Sequence, residues 1–520
     1  MKWLIIALCL VCSILFLHNL HSRDFWAPDE GDFAEIAREL EHDHVVPHLN
    51  NVPYGEKPPL FYYITYGSHR FLSFCRDEFS MRLPSALAAL GLALFFLVTV
   101  GILVGRAEAV TATAILISAP LYYWQARYLQ VDMVFAVFVA CGMLSFFRFD
   151  ARGERPFYYL FFIFAALAFM TKGPVSIALM FPPVFIYLLF RKDLSLFRRI
   201  DTYVGIIILI GLILPWYAAV YWKEGLPFLQ ENILRQNFSR FFDAWSHKRP
   251  FYYYFTTLPL DFFPWSLFLP PGIYFCLKYA KERPDCAYFL TWCGWMFLFL
   301  SLSSGKISKY MLPLLPALSM VAGYAFFTRR SAYRTVVFSL LTTLFLALGG
   351  LLFFYRPDAF VPLFPERVIL GILSLILSGS LLFLLLKKGG RGVFWALFFF
   401  FVLAYGIANT SVYGKINPLK SPRAVAERIK PYLSAGAPWV YYGSIRGTYV
   451  YYVGAYAVHV DEHDTEKLRA LGRTLAKFYV FTRKRDMNEV LQALPGARPL
   501  FEEKIGDTVM VFSLYERGAE

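Results

Sequence analysis

The chain has 520 residues, of which 58% are hydrophobic, 19% aromatic and 17% charged, with a mean hydropathy of +0.49. Apolar runs recur through most of it, and a helix needs about 20 apolar residues to cross a bilayer. These values exclude a soluble globular enzyme and point to a polytopic helical membrane protein. The net charge of +14 would suit a nucleic-acid partner, but the basic residues cluster in short loops between apolar runs. Topology and anionic membrane lipid account for them there, so no nucleic acid is expected. Cys9, Cys12, Cys141, Cys276 and Cys293 lie in apolar runs and Cys286 in a basic loop, which leaves no disulfide framework.

In chain order, Lys2 precedes a first span at 3–20 with no small-residue cleavage site after it, which reads as an uncleaved anchor with its N-terminus inside. Residues 24–63 are the first long polar interval. Asp29 is placed to cap a helix on which Phe33, Ile36, Ala37 and Leu40 share one apolar face, predicting an amphipathic helix at a membrane surface. Pro58 and Pro59 suit the first turn of a second helix. Glu56 and Lys57 then stand just ahead of its N-terminus, a place that favours anions. Taken singly, Asp29 reads as a cap and Glu56–Lys57 as a surface ion pair. Together they set two acids and a base on one short loop.

Further spans are predicted at 80–104, 107–124, 131–147, 157–171, 174–190, 202–222, 258–277, 287–304, 311–328, 335–355, 367–386 and 393–411. With the first, that makes about thirteen. Alternate loops carry Arg106; Arg148, Arg152 and Arg155; Arg191, Lys192, Arg198 and Arg199; Lys278, Lys281 and Arg283; Arg329, Arg330 and Arg334; and Lys387, Lys388 and Arg391. The positive-inside rule makes these cytoplasmic, and places both the 21–79 loop, with Cys75, and the chain after 411 on the other side. The expected organisation is a membrane domain over 1–414 and a small soluble α/β domain over 415–520. Strands are expected in the latter at 438–443, 448–453, 478–482 and 508–514, with helices near 421–433, 463–474 and 485–494.

The outer ends of the spans carry more cations than topology asks for. Arg127 with Asp132, Lys172 in TKGP, and Lys306, Lys309 and Tyr310 in SGKISKY all fall on the predicted outer side. Snorkelling to lipid phosphate is the bland explanation, and a basic cup for a phosphate group the functional one. Asp132 is the strongest intramembrane acid, with a plain ion pair to Arg127 as its structural reading. His42, His44 and His48 fit no established zinc spacing.

PDEGDFAEIAREL at 28–40, VVPHLNNVPYGEKPPLFYY at 45–63 and EFSMRLPSAL at 78–87 resemble the first outer loop of bacterial aminoarabinose transferases. These belong to the GT-C membrane glycosyltransferases, which include the protein O-mannosyltransferases. The resemblance implies a GT-C fold with an active site containing Asp29, Glu56 and Lys57, and with Asp132 as a second acid. GKISKYMLP is similar to a late family motif and brings Lys306, Lys309 and Tyr310. QNFSRF brings Arg240, but Asn237 stands where the family often has His, which counts against a histidine-based metal site.

The same resemblance implies transfer of a sugar from a polyprenyl-phosphate donor to an acceptor on the outer face of a bacterial inner membrane. The family's own reaction moves 4-amino-4-deoxy-L-arabinose from undecaprenyl phosphate to lipid A. No cofactor is required by this reading, and a divalent metal is left open. Transfer of a mannose-like sugar to protein or another glycan is the alternative. A lipid or glycan transporter is the non-enzyme alternative, disfavoured because the charges gather on one face.

Overall fold

The computed structural model describes residues 2–327, 332–354, 362–387, 390–434 and 436–518. Arg329, Arg330, Lys388 and the last residues of the expected spans 311–328 and 335–355 lie outside that set. The chain divides into two compact units, one of Met1–Leu20, Gly55–Ile64 and Arg82–Val412, the other of His21–Tyr54, Thr65–Met81 and Tyr413–Glu520. The C-terminal segment therefore clusters with most of the first polar interval.

The first unit is helical. Among the described residues seven helices are long and apolar enough to cross a membrane, or eight if the pair Tyr253–Asp261 and Trp265–Tyr279, bent by 109°, counts as one span. Lys2–Leu17 and Val175–Phe190 are shorter apolar helices. Val131–Arg152 is the inner element: 89% of its most apolar window is buried, against 22% for Ile200–Phe242. Exposed apolar side chains such as Ile207, Ile210 and Leu214 on the latter are what a lipid-facing surface requires. Leu315–Tyr324 is buried along its whole length.

The end of the first helix shows how this unit satisfies its backbone. A helix terminus leaves carbonyls without partners, costly in a dry interior. The Arg127 guanidinium donates to the carbonyls of Leu15 at 3.2 Å, Phe16 at 3.1 Å, His18 at 2.9 Å and Asn19 at 3.2 Å. Asn409 Nδ2 donates to Ile14 and Leu15 at 3.0 Å each, and Arg82 to Leu20 at 3.1 Å.

The second unit contains the helix Asp29–Glu39, the hairpin β1 (His48–Leu49) and β2 (Val52–Pro53), and a five-stranded sheet. Its strands are β3 (Trp439–Tyr442), β4 (Val458–Val460), β5 (Lys477–Arg483), β6 (Arg498–Ile505) and β7 (Thr508–Glu516), in the order β4-β3-β5-β7-β6. β3 is parallel to β4 and β5, while β7 pairs antiparallel with β5 and β6. Val440, Tyr442, Phe478, Val480 and Val511 point to one core with Leu468 and Val490 of the covering helices.

One expected strand is corrected here. Residues 448–453 form no strand: Gly447–Val453 is a helix, ended by Gly454 at φ 76°. Its β-branched and aromatic residues favour a strand locally, but all seven are buried, and tertiary packing overrides propensity. The strands at Val458–Val460 and Arg498–Ile505 are too polar or too short to have declared themselves.

The helix Asp29–Glu39 begins after Pro28, which occupies the N-cap without a side-chain cap bond, so Asp29 is a first-turn residue. Nor is the helix half-solvated, because Glu30, Glu35 and Glu39 are buried with Ile36 and Ala37. Glu30 pairs with Arg23 at 2.7 Å, Glu35 with Arg38 at 2.7 Å, and Glu39 accepts from the backbone N–H groups of Asn50 at 2.6 Å and Asn51 at 2.8 Å. Asn50 and Asn51 turn the hairpin at φ 57° and 59°, a region asparagine tolerates. Asn50 in turn exchanges two 2.8 Å hydrogen bonds with the Ala457 backbone. Asp24 accepts from Asn417 at 2.9 Å, Ser421 at 2.7 Å and Arg423 at 3.2 Å. Burial raises the Asp24 carboxyl, and these three donors outweigh it, leaving it below the usual carboxylate range.

Candidate active site

In the first unit a small cavity of about 100 Å³ opens among Lys57, Lys172, Gln236, Asn237, Arg240 and Tyr310, walled by Phe135, Phe241 and Phe299. Lys57 arrives on the loop before Leu60–Phe71, whose start follows the proline pair. Lys172 ends the helix Arg155–Lys172. Arg240 follows the wide helical turns of Gln230–Ser239, and Tyr310 comes from the short helix Ser308–Leu314.

Asp132, in the first turn of the inner helix Val131–Arg152, organises the cations. Its Oδ1 accepts from Lys172 Nζ, and Lys309 Nζ lies 3.7 Å from its Oδ2. The Lys172 ammonium also sits 4.3 Å from the Tyr310 ring centre and 5.2 Å from that of Phe135, within cation–π range. The carboxylate is 3% exposed, and a buried ion without partners would cost several kcal/mol. The Arg127–Asp132 pair considered from sequence is not formed; Lys172, which lies far from Asp132 in the chain, takes that place.

Lys57 is the most perturbed of these groups outside the spans. Packed protein around it lowers its ammonium to about 8; Glu56 and Asp132 oppose that shift, while Arg240 and Lys172 add to it. Its Nζ donates to the Glu56 carbonyl at 3.1 Å. Asn232 fastens this loop, donating to the Gly55 carbonyl at 2.8 Å and accepting from Tyr217 at 2.9 Å. Asn237 donates to the Asn232 carbonyl at 2.8 Å, and Gln236 accepts from Arg240 at 3.2 Å.

Of the residues singled out by sequence, Lys57, Lys172, Arg240 and Tyr310 line the cavity, with Asp132 and Lys309 joined to it through Lys172. Glu56 is beside Lys57. Arg127 is engaged with the carbonyls of the first helix. Lys306 is buried and donates to the carbonyls of Arg249 at 3.0 Å and Ser303, so it shapes the loop beneath the cavity. Asp29 belongs to the second unit. Gln236 and Asn232 were missed, since neutral amides in an apolar interval carry no spacing signal. Among the described residues no three His, Cys, Asp or Glu side chains gather as a metal site. The arrangement holds Lys57, Lys172 and Lys309 around one buried carboxylate, with Arg240 lining the same cavity and Glu56 adjacent. That surplus of positive charge suits a phosphate.

Residues 1–225 match the family model described as dolichyl-phosphate-mannose-protein mannosyltransferase. The undecaprenyl phosphate-alpha-4-amino-4-deoxy-L-arabinose arabinosyl transferase of Serratia proteamaculans is 29% identical over 340 residues, 62% of this chain and 59% of the relative. That of Aeromonas hydrophila is 30% identical over 332 residues, 62% and 59% of the two chains. The chain thus spans about three-fifths of the length of these curated relatives. The crystal structure of ArnT from Cupriavidus metallidurans bound to undecaprenyl phosphate superposes with a TM-score of 0.81 at 19% identity, covering 98% of each chain. The apo oligosaccharyltransferase of Archaeoglobus fulgidus gives 0.56 at 12% identity, covering 96% of this chain and 73% of that one. The chain resembles the aminoarabinose transferases and has their fold.

Proposed function

We propose that this chain is a glycosyltransferase of the bacterial inner membrane, moving a sugar from a polyprenyl-phosphate donor to an acceptor on the periplasmic face. The proposed pair is 4-amino-4-deoxy-L-arabinose on undecaprenyl phosphate with lipid A as acceptor. The observation that carries the reading is the cluster of Lys57, Lys172 and Lys309 around Asp132, with Arg240 in the same cavity, next to membrane spans. The names of the relatives and the lipid phosphate in the similar ArnT structure agree with it.

In this reaction the bond from the sugar's anomeric carbon to the phosphate oxygen breaks, and its electron pair leaves with the phosphate. Fixed cations aimed at that oxygen stabilise the growing negative charge without reorganising. Lys57 and Arg240 line the cavity and take that role. Asp132 positions Lys172 and Lys309, with Tyr310 packed against the Lys172 ammonium. The acceptor oxygen forms the new bond. A hydroxyl acceptor gives its proton to a carboxylate base, the role assigned to Asp29. A phosphate acceptor arrives ionised, and Asp29 and Glu56 then orient it or hold the sugar's ammonium group.

The proposal includes about thirteen membrane crossings, with Cys75 and the C-terminus outside. Helices such as Arg106–Ser118 with Pro120–Ala126, Arg155–Lys172 and Leu315–Tyr324 supply the crossings beyond those of full length. A membrane-impermeant thiol reagent should label Cys75 in spheroplasts, and a cytoplasm-only reporter fused to the C-terminus should stay dark. For the activity, purified protein in lipid is given undecaprenyl-phosphate aminoarabinose and lipid A, and the product weighed by mass spectrometry. A gain of one aminoarabinose supports the reading. Transfer only from a polyprenyl-phosphate mannose to protein favours the second reading, which the matched family model supports.

A further inference from the structure

The second unit carries a basic cluster that the transfer site does not use. Its sheet has a topological switch: the chain leaves β3 for β4 on one side, then crosses to β5 on the other. In open α/β sheets ligands bind outside the carboxyl ends of the strands at such a point. Both strands run parallel here, with Tyr441 opposite Phe481. Arg446 follows the carboxyl end of β3, and Arg483 is the last residue of β5.

Side chains alternate along a strand, so Tyr441, Phe481 and Arg483 share the sheet face opposite the Val440–Val480 core. Tyr449, on the helix Gly447–Val453, packs over that face, its ring centre 6.1 Å from Tyr441 and 4.8 Å from Phe481. Arg446 and Arg483 both lie within electrostatic reach of the Tyr441 and Tyr449 hydroxyls. Both arginines are half-buried. Among the described residues neither guanidinium has a hydrogen bond or an ion pair, and neither tyrosine hydroxyl has a hydrogen bond. Two guanidinium groups near the same pair of hydroxyls repel each other, and an anion held between them relieves that repulsion.

Two acids lie nearby. Asp32, in reach of Tyr441, accepts from the Gly447 N–H at 2.6 Å. Asp486 pairs through Oδ1 with Arg485 at 3.1 Å, and its Oδ2 lies buried beside Gly443 without a hydrogen bond. Two arginines face one carboxylate, so the cluster remains net positive. Gly443, at φ 106°, lets the chain turn between β3 and Arg446.

We propose that Arg446 and Arg483, with the Tyr441 and Tyr449 hydroxyls, form an anion site for a phosphate monoester, such as the headgroup of a phosphorylated glycolipid. Two planar guanidinium forks and two phenol donors match the oxygens of such a group better than a carboxylate's two. The helix carrying Asp29 packs on the helix Gly447–Val453, with Gly31 against Thr448. A phosphate held here therefore lies in the same unit as the carboxylate assigned to the acceptor. Only that link to the acceptor rests on the proposed transfer reaction; the phosphate site itself does not.

The test uses full-length protein carrying Lys57→Ala, to weaken the membrane-domain site, with and without Arg446→Gln and Arg483→Gln. Inorganic phosphate is titrated by calorimetry. The site predicts saturable binding that weakens at least tenfold in the double glutamine variant and returns in large part with lysine at both positions. Equal binding with and without the two arginines overturns it. Detergent micelles containing monophosphoryl lipid A, then its dephosphorylated form, separate the sources. Tighter binding to the phosphorylated lipid than to free phosphate assigns a headgroup, and equal binding assigns a soluble phosphate. If the site holds but no sugar is transferred, the transfer reading alone fails.

Discussion

Lys172 donates a hydrogen bond to Asp132 between two different helices of the membrane domain, both side chains nearly sealed from solvent. This contact gives the cavity its charge pattern, since Asp132 also holds Lys309 and so fixes two of the four cations. Removing one partner of a buried pair leaves the other charge stranded. Asp132→Asn should therefore cost on the order of 3 kcal/mol in stability and abolish most transfer. Lys172→Met leaves Asp132 with Lys309 and should be the milder change. Thermal unfolding in detergent, alongside turnover, checks the order; equal stability for both variants would contradict it.

Lys57 yields a pH prediction whose sign follows from its lowered ammonium. Burial leaves it mostly charged below about 8 and mostly neutral above. The donor's phosphate is a diester and carries one negative charge throughout this range, so it does not titrate. Affinity for it should therefore be steady at pH 6.5–7.5 and fall as pH rises through about 8 to 9. Lys57→Arg should flatten that fall, because guanidinium does not titrate there. Lys57→Ala should weaken binding at all pH values and cripple transfer while leaving protein levels unchanged. A donor affinity independent of pH from 7 to 9.5 would remove Lys57 from phosphate binding.

Asp29 stands in the first turn of its helix, one residue past the N-cap that Pro28 occupies. Asp29→Asn keeps the size of the side chain and should cost no more than about 1 kcal/mol through its interaction with the helix dipole. If the carboxylate acts on the acceptor, transfer falls on the order of a hundredfold. Donor affinity should change little. Turnover and donor binding of the purified variant separate these effects, and near-normal turnover would leave Asp29 a structural residue.

Gly31 tests the packing of the second unit. A Cβ built there would overlap the Thr448 backbone and side chain, so Gly31→Ala forces two helices apart. Overpacking of this kind costs about 1–3 kcal/mol or more. Limited proteolysis should cleave the 413–518 region of Gly31→Ala sooner than in the parent, whereas Gly67→Ala, with open space around it, should behave as the parent does.

The sequence by itself determined the membrane class, because hydropathy summed over 520 residues does not depend on tertiary contacts. It also determined the helix starts at Pro28–Asp29 and Pro58–Pro59, where local backbone chemistry decides, and it singled out Lys57, Asp132, Arg240, Lys309 and Tyr310 as unusual charges and motifs. Tertiary structure decided what those charges meet. Asp132 binds Lys172, far along the chain, and not Arg127, which is nearer in sequence but turns to the carbonyls of the first helix. Lys306 and Lys309 are three apart, yet one holds a loop carbonyl and the other Asp132. Burial also turned the 447–453 run from an expected strand into a helix. Partner choice among buried polar groups depends on which helices are neighbours, and no local spacing encodes that.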